Sequence, residues 1–247
     1  MKKILFVLLS LVSFKAFSQT TTTNYNIWFH YFGKNRIAER WNVNLEATMR
    51  YANGFEEKQQ FFIRPSLDYE INSNLSFSAG YSHYVTYSYG TPSLFKINTP
   101  EDHVWIQTSY VHKINQWKIT HRLRNEFRWV GVASAVGENL EINSFAFRDR
   151  LRYMIMFQHP IHSFSNGIQW YGIVGNEAFV NIGTNAGKTL MNQNRVIAGF
   201  GLQLDKNQQI QLSYIHQNIW NFANTLHENN PTVRLSYLTH FDWRKKS

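Results

Sequence analysis

The amino-acid sequence predicts an all-β protein, a transmembrane antiparallel β-barrel of about 12 strands, with about 10 strands as the alternative. Three observations lead to this fold class: an N-terminal export signal, apolar and polar residues that alternate along most of the chain, and connections that alternate between short and long. In a membrane barrel, alternate side chains of each strand face lipid and lumen. We expect short periplasmic turns at one end of the barrel and longer extracellular loops at the other.

The N-terminus has the pattern of a secretory signal peptide. Two lysines form a basic start, residues 4–12 form a short apolar core, and Ala16 and Ser18 are small residues at the two positions that a signal peptidase reads. We expect cleavage before Gln19. The chain is then exported, and the bacterial outer membrane is its expected location.

Composition and charge exclude several classes of protein. After residue 11, no uninterrupted apolar run approaches the roughly 20 residues that a spanning helix needs. The chain has no cysteine, which excludes disulfides and thiolate metal sites. Removing residues 1–18, with their three lysines, leaves 22 of the 25 Lys and Arg against 16 Asp and Glu, so the net charge falls from +9 to +6. This excess is too small to indicate nucleic-acid binding, and we expect residues 19–247 to form one barrel domain.

The stretch SFAFRDRLRYMIMF, residues 144–157, shows the alternation most clearly. Arg148, Arg150 and Arg152 occupy every second position, and the other register carries large apolar side chains. On a helix these arginines would scatter around the cylinder, whereas on a strand they share one face. We expect the apolar row to face lipid and the arginines to face a polar lumen. About eleven segments of this kind follow one another along the chain.

The connections between these segments indicate the two ends of the barrel. Residues 72–74, 113–116 and 205–207 are short, whereas residues 87–102, 130–143, 181–191 and 221–230 are longer. A count of eleven conflicts with the even strand numbers of bacterial single-chain barrels, and it would start the first strand outside the cell if the C-terminus is periplasmic. Either one segment is a false strand or the N-terminal residues pass through the lumen, so 12 or 10 strands are expected.

Several motifs resemble a known family of small exported proteins. They are Trp28 in the first segment, MRYANGF, GYSHY, RDRLRY, GNEAFVN at residues 175–181, QNRVIAGFGLQL at residues 193–204, and LSYIHQN. Together they cover the whole mature chain, and they resemble the proteins grouped as domain of unknown function 2490. The resemblance implies a small β-barrel in the outer membrane of a Gram-negative bacterium, and it implies no defined activity.

The polar faces of the predicted strands carry a network of charges in the lumen. Arginines outnumber acids in it, and Glu177 and Arg195 are expected partners because their segments form one hairpin. The expected members are Glu46, Arg50, Arg64, Asp68, Glu70, Arg122, Arg124, Glu126, Arg128, Arg148, Arg150, Arg152, Glu177, Arg195 and Arg234. Two interpretations stay open: ion pairs that fill the barrel, or an arginine-lined constriction that favours small anions.

The sequence offers no convincing catalytic, cofactor or metal site. HSFSNG at residues 162–167 resembles the His/Ser/Asn cluster of outer-membrane lipid hydrolases, but His162 and Ser165 fall on opposite faces of a strand. His103, His112 and His121 could meet in a hairpin, and no carboxylate accompanies them in the pattern. We therefore expect no enzyme activity, no cofactor and no metal.

Two functions from different classes fit these features. The first is a structural or accessory barrel with a charge-paired lumen, whose expected partners are outer-membrane lipid and a larger outer-membrane complex, without nucleic acid. The alternative is a small passive channel that weakly favours anions. A lipid hydrolase is a distant third.

Overall fold

The computed structural model of the protein describes residues 19–165 and 167–244. The predicted signal peptide, residues 1–18, lies outside the described residues, and its cleavage stays a prediction. Among the described residues, no helix has the length and apolar character needed to cross a membrane.

The described chain consists of β-strands joined by turns and loops, with one short 3-10 turn at Asn53–Phe55. The strands are β1 (Thr20–Thr23), β2 (Asn26–Arg36), β3 (Trp41–Ala52), β4 (Glu57–Glu70), β5 (Leu75–Thr86), β6 (Thr99–Ile114), β7 (Trp117–Val136), β8 (Asn139–Ser163), β9 (Gln169–Ile182), β10 (Met191–Gln203), β11 (Gln208–Trp220) and β12 (Leu226–Asp242). Neighbouring strands from β2 to β12 are antiparallel and pair in sequence order.

The ring closes between its first and last strands, which run in the same direction. β12 pairs with β2 in parallel register, from Thr232 opposite Asn26 to Asp242 opposite Arg36. The ring of strands β2 to β12 therefore contains eleven members, an odd number that only a parallel closure allows. The expected even number of strands, 12 or 10, is therefore not observed. Eleven strands form the ring, and the parallel pairing of β2 with β12 closes it.

The twelfth strand of the sheet, β1, lies outside the ring. Thr20–Thr23 pair in parallel with residues 226–229 of β12, with the same sequence offset as β2. β1 therefore continues the line of β2 along β12, beyond the point where β3 ends. These N-terminal residues lie at the end of the barrel that carries the longer loops, and they pair with β12 instead of passing through the lumen.

The alternation of side chains sets the two faces of the wall. On β8, Arg150 and Arg152 are 8% and 6% exposed, whereas Phe147 and Tyr153 are 42% and 45% exposed. This confirms the predicted strand through residues 144–157, with its arginines inside the ring and its apolar row outside. Inside the ring, Trp28 also packs with the buried side chains of Ile197 and Ile215.

The outer wall carries an extensive apolar surface. The large apolar side chains exposed on the middle of the strands include Leu45, Met49, Ile63, Leu67, Phe77, Val104, Ile106, Leu123, Tyr153, Val174, Val196, Phe200, Leu212, Tyr214, Val233 and Leu235. Soluble monomers rarely expose continuous apolar patches larger than a few hundred Å². A band of this kind around a barrel is typical of proteins that sit in a bilayer.

The connections largely follow the predicted division between the two ends. The turns after β2, β4, β6, β8 and β10 lie at the end where β12 finishes, and residues 87–98, 183–190 and 221–225 form loops at the other end. The predicted long loop at residues 130–143 is wrong. β7 and β8 continue as a protruding hairpin to a two-residue turn, in which Gly137 adopts a φ of 61°.

Candidate functional site in the barrel lumen

Glu126 lies at the centre of the lumen network and is fully buried. One of its carboxylate oxygens accepts hydrogen bonds from Nε and Nη2 of Arg150, at 2.9 and 2.6 Å. The other oxygen accepts one from Nη1 of Arg152, at 2.5 Å. Buried charges are tolerated only where they are paired and hydrogen-bonded, and two guanidiniums satisfy this carboxylate.

Glu177 on β9 gathers a second group of arginines. It accepts hydrogen bonds from Arg122 at 2.6 Å and from two nitrogens of Arg152 at 2.7 and 3.1 Å. Arg195, its expected partner, lies opposite it in the β9–β10 register, and their closest atoms are 3.4 Å apart. Arg152 therefore bridges Glu126 and Glu177, because it contacts both carboxylates.

Glu46 joins the opposite wall to this network. It pairs with Arg64 at 2.7 Å on the neighbouring strand, and with the His30 ring at 3.3 Å. The Arg64 side chain also reaches Glu126, with 3.8 Å between Nη2 and Oε1. Since β5 and β6 lie between the strands of Arg64 and Glu126, this contact crosses the lumen instead of following the wall.

One ion pair of the lumen was missed by the sequence analysis. Glu101 accepts a hydrogen bond from Nε of Arg128 and lies 2.5 Å from Nε2 of His103. The sequence predicts a loop over residues 87–102, whereas β6 already begins at Thr99 and Glu101 lies inside the ring beside Arg128. The signal available in the sequence was Glu101 itself, an acidic residue directly before the alternating apolar residues of β6.

Two of the predicted acids do not contact the arginine-rich layers. Asp68 and Glu70 pair instead with Lys34, at 2.9 and 3.0 Å, and Glu70 also pairs with Arg36. Both acids lie at the end of β4 that approaches the short turns, beside the final residues of β2. Their position along the barrel places them beside Lys34 and Arg36 and not beside the arginines of β7 and β8.

Three predicted arginines have no carboxylate within 4 Å among the described residues. Arg50 donates to Gln60 at 2.6 Å and stacks on Trp28, with 4.0 Å between its guanidinium carbon and the ring centroid. Arg148 lies over the ring of Phe222 at 3.4 Å. Arg234 forms neither an ion pair nor a hydrogen bond with its side chain within the part of the chain that the structure describes.

Arg124 is held mainly by neutral groups. Its Nε and Nη2 donate to the amide oxygen of Gln107 at 2.8 and 2.6 Å, and its guanidinium stacks on Trp105 at 4.3 Å. The nearest carboxylate, that of Glu126, is 3.7 Å away.

A cavity of about 590 Å³ occupies the lumen beside these groups. Arginines and aromatic rings form a large part of its lining, which includes Phe222 in the loop after β11 and Leu238 near the end of β12. Residues 87–98 contribute Tyr89, Leu94 and Phe95 to its lining at the mouth on the side of the longer loops, where the Tyr89 hydroxyl donates to Glu228 on β12 at 2.7 Å. Burial and the nearby Glu228 carboxylate raise the pKa of Tyr89 well above its usual range.

The residues considered for hydrolase chemistry do not meet, and of the three histidines considered for a metal site, His112 and His121 come together without His103. His162 is exposed and packs against Phe164, and no His162–serine hydrogen bond exists among the described residues. The rings of His112 and His121 stack at 5.4 Å. His103 faces the lumen and contacts Glu101, so the expected absence of a carboxylate beside these histidines is wrong for His103. Over residues 19–165 and 167–244, no three His, Asp or Glu side chains form a group that could hold a metal ion.

Comparison with known proteins places the chain in a family. A solved structure with some similarity is the crystal structure of the beta domain of the Bordetella autotransporter Brka, with 11% sequence identity, 78% of this chain and 91% of that chain covered, and a TM-score of 0.39. No curated protein matches the sequence significantly. The sequence profile of the family described as "Protein of unknown function (DUF2490)" matches residues 25–228, which confirms the resemblance seen in the motifs, and the chain belongs to that family.

Proposed function

We propose that the protein is an outer-membrane β-barrel with a structural or accessory role, whose lumen is cross-linked by ion pairs. The apolar outer wall supports the membrane location, since exposing it to water would be unfavourable, whereas hydrocarbon accommodates it. The predicted signal peptide supports export through the inner membrane. Outer-membrane lipid is then the first partner, and a larger complex at the protruding β7–β8 hairpin is the second.

The contact between Arg64 and Glu126 carries the proposal of a closed lumen. It joins non-adjacent strands at 3.8 Å, and Glu126 in turn holds Arg150 and Arg152. Side chains therefore meet across the barrel at this level, which narrows any continuous path for solutes. A barrel of about this size has a narrow interior that side chains can fill.

Fractionation and mass spectrometry test the location. We expect the mature chain to begin at Gln19 and to sediment with outer membranes. A soluble periplasmic protein, or one that retains Met1, would contradict the proposal.

Electrical recording tests the closed lumen. The protein refolded into planar bilayers should show no stepwise conductance, because the ion-paired layer blocks the path. Glu177→Gln serves as the matched variant, since it loosens that layer without changing the outer wall. Stable open steps of the unmodified protein would contradict a closed barrel.

The cavity favours a second candidate, a small channel with weak anion preference. Its lining contains many more arginines than acids, and rings of arginine select anions in pores. Reversal potentials in a salt gradient distinguish the two functions. A conducting barrel that prefers chloride to potassium would support this candidate, and Arg150→Gln should then reduce the preference.

A further inference from the structure

Positive charge exceeds negative charge in the middle layers of the lumen. The arginines there are Arg50, Arg64, Arg122, Arg124, Arg128, Arg148, Arg150, Arg152, Arg195 and Arg234, and the acids are Glu46, Glu101, Glu126 and Glu177. Ten guanidiniums against four carboxylates leave an excess of six positive charges. Since unpaired charges away from bulk water are unfavourable, this region attracts anions from solution.

The excess is concentrated around one tryptophan. Trp28 lies in register with Arg50 on one neighbouring strand and with Arg234 on the other. The guanidinium of Arg50 lies 4.0 Å from the centroid of the indole, and that of Arg195 lies 5.1 Å from it. Nε1 of Trp28 donates to Gln59 at 2.7 Å, which holds the ring in place. Two guanidiniums therefore lie over one fixed aromatic side chain, and a third arginine occupies the neighbouring register position.

Two of these guanidiniums retain unused donors. The Nε atoms of Arg50 and Arg234 are buried and have no hydrogen-bond partner among the described residues. Nε and one Nη of a guanidinium form the fork that binds the two oxygens of a carboxylate or phosphate. In contrast, Arg122 and Arg152 already donate hydrogen bonds to the Glu177 carboxylate.

The cavity next to this cluster has the size and lining of a small-molecule site. Its volume of about 590 Å³ falls within the range of about 300–1,000 Å³ that is typical of ligand pockets. Phe62 and Phe179 supply aromatic walls. An inorganic anion alone would leave these walls without contacts.

We propose that the lumen binds a small organic molecule that carries a phosphate or carboxylate group, with the anionic group held by Arg50 and Arg234, the two arginines in register with Trp28. The aromatic side chains contact the rest of the molecule. This inference goes beyond a structural role and depends on the barrel interior, not on whether the lumen conducts ions.

Binding is measured on the full mature chain refolded in detergent micelles, by titration calorimetry and by the thermal unfolding midpoint. The probes are glucose 1-phosphate, citrate, inorganic phosphate and uncharged glucose, each at the same ionic strength. We expect saturable binding of glucose 1-phosphate, citrate or both, which also tells phosphate from carboxylate recognition. Glucose should not bind. Binding by none of the organic anions, or equal affinity for inorganic phosphate and the organic anions, would overturn the proposal.

Two variants locate the site. Arg234→Gln should weaken binding about tenfold, because a charge-assisted contact to the anion is lost. Its thermal midpoint without ligand should be unchanged or higher, since Arg234 has no partner in the described protein and repels nearby cations. Arg244→Gln is the control, because that arginine is exposed and pairs with Asp242 outside the lumen. Unchanged affinity in Arg234→Gln, or an equal loss in Arg244→Gln, would contradict the assignment.

The binding experiment and the conductance experiment can fail independently of each other. Conductance together with saturable binding would reject a closed barrel and keep the ligand site. A silent barrel without binding would reject the ligand site and keep the closed barrel.

Discussion

Glu177 shows how strongly single residues of the lumen depend on one another. Its side chain is 3% exposed, and its carboxylate neutralises guanidiniums from β7, β8 and β10. Removing one partner of a buried ion pair leaves the other charge uncompensated, which costs more than the pair contributes. The acid is therefore more sensitive to substitution than any one of its three arginines.

We predict that Glu177→Gln lowers the free energy of unfolding by about 3–5 kcal/mol, the usual cost of breaking a buried ion pair. Urea titration of the refolded protein measures this. Glu39→Gln, on an exposed turn, is the matched control and should change the midpoint little. Equal small effects at both positions would indicate that water screens the lumen charges.

Tyr89 gives a prediction for the pH dependence of the loop over the mouth. Its raised pKa means that the folded protein favours the neutral phenol, so its contribution to stability is complete below about pH 10, the usual tyrosine pKa. The contribution is lost as the pH rises towards the folded-state pKa. Tyr89→Phe, which cannot donate to Glu228, should lower stability by about 1.5–3 kcal/mol at neutral pH and by less in strong alkali.

The measurement is the thermal midpoint of both proteins as a function of pH, with Tyr25→Phe as the control because Tyr25 is 66% exposed. A constant difference between Tyr89→Phe and the unmodified protein up to strong alkali would argue against the buried contact.

At the scale of elements, the strands differ in what their outer faces contact. Leu123 lies in the middle of β7 and is 47% exposed on the outer wall. Leu140 lies near the tip of the hairpin formed by β7 and β8, beyond the neighbouring strands, and is similarly exposed at 39%. Only the first position would face hydrocarbon if the barrel sits in a bilayer.

We therefore predict that Leu123→Arg lowers stability by about 2–4 kcal/mol in bilayers, whereas Leu140→Arg has little effect. Denaturant titration in lipid vesicles compares the two variants. Similar costs at both positions would contradict the membrane location of the outer wall.

At the scale of the whole molecule, the parallel seam determines which end of the barrel carries the N-terminus. β1 lies with the longer loops, whereas Ser73 lies in the turn between β4 and β5 at the opposite end. If the short turns are periplasmic, the mature N-terminus is on the cell surface. The natural chain has no cysteine, so single introduced cysteines report position without background.

We expect a membrane-impermeant maleimide to label Thr21→Cys in intact cells and to leave Ser73→Cys unlabelled until the outer membrane is permeabilised. The reverse pattern would mean that the barrel is inserted with its longer loops inward. Labelling of both positions in intact cells would reject a barrier between the two ends.

The sequence alone determined the strands, their two faces and most of the charged residues of the lumen. This was possible because alternation is a local property: the arginines of β8 and the apolar row beside them follow from a period of two residues. The family followed from short motifs, which are also local. Even so, the start of β6 was missed, because the first residues of β6, which include Glu101, are as polar as the loop that precedes them.

Only the tertiary structure decided how the ring closes and which charges meet. The parallel pairing of β2 with β12 depends on the total number of strands and on the register between the two ends of the chain. Arg64 reaches Glu126 across the lumen, whereas Asp68, four residues further along the same strand, meets Lys34 instead. Residue spacing within a strand shows which face a side chain takes, but its height in the barrel and its neighbours across the lumen arise from the tilt and stagger of all the strands together.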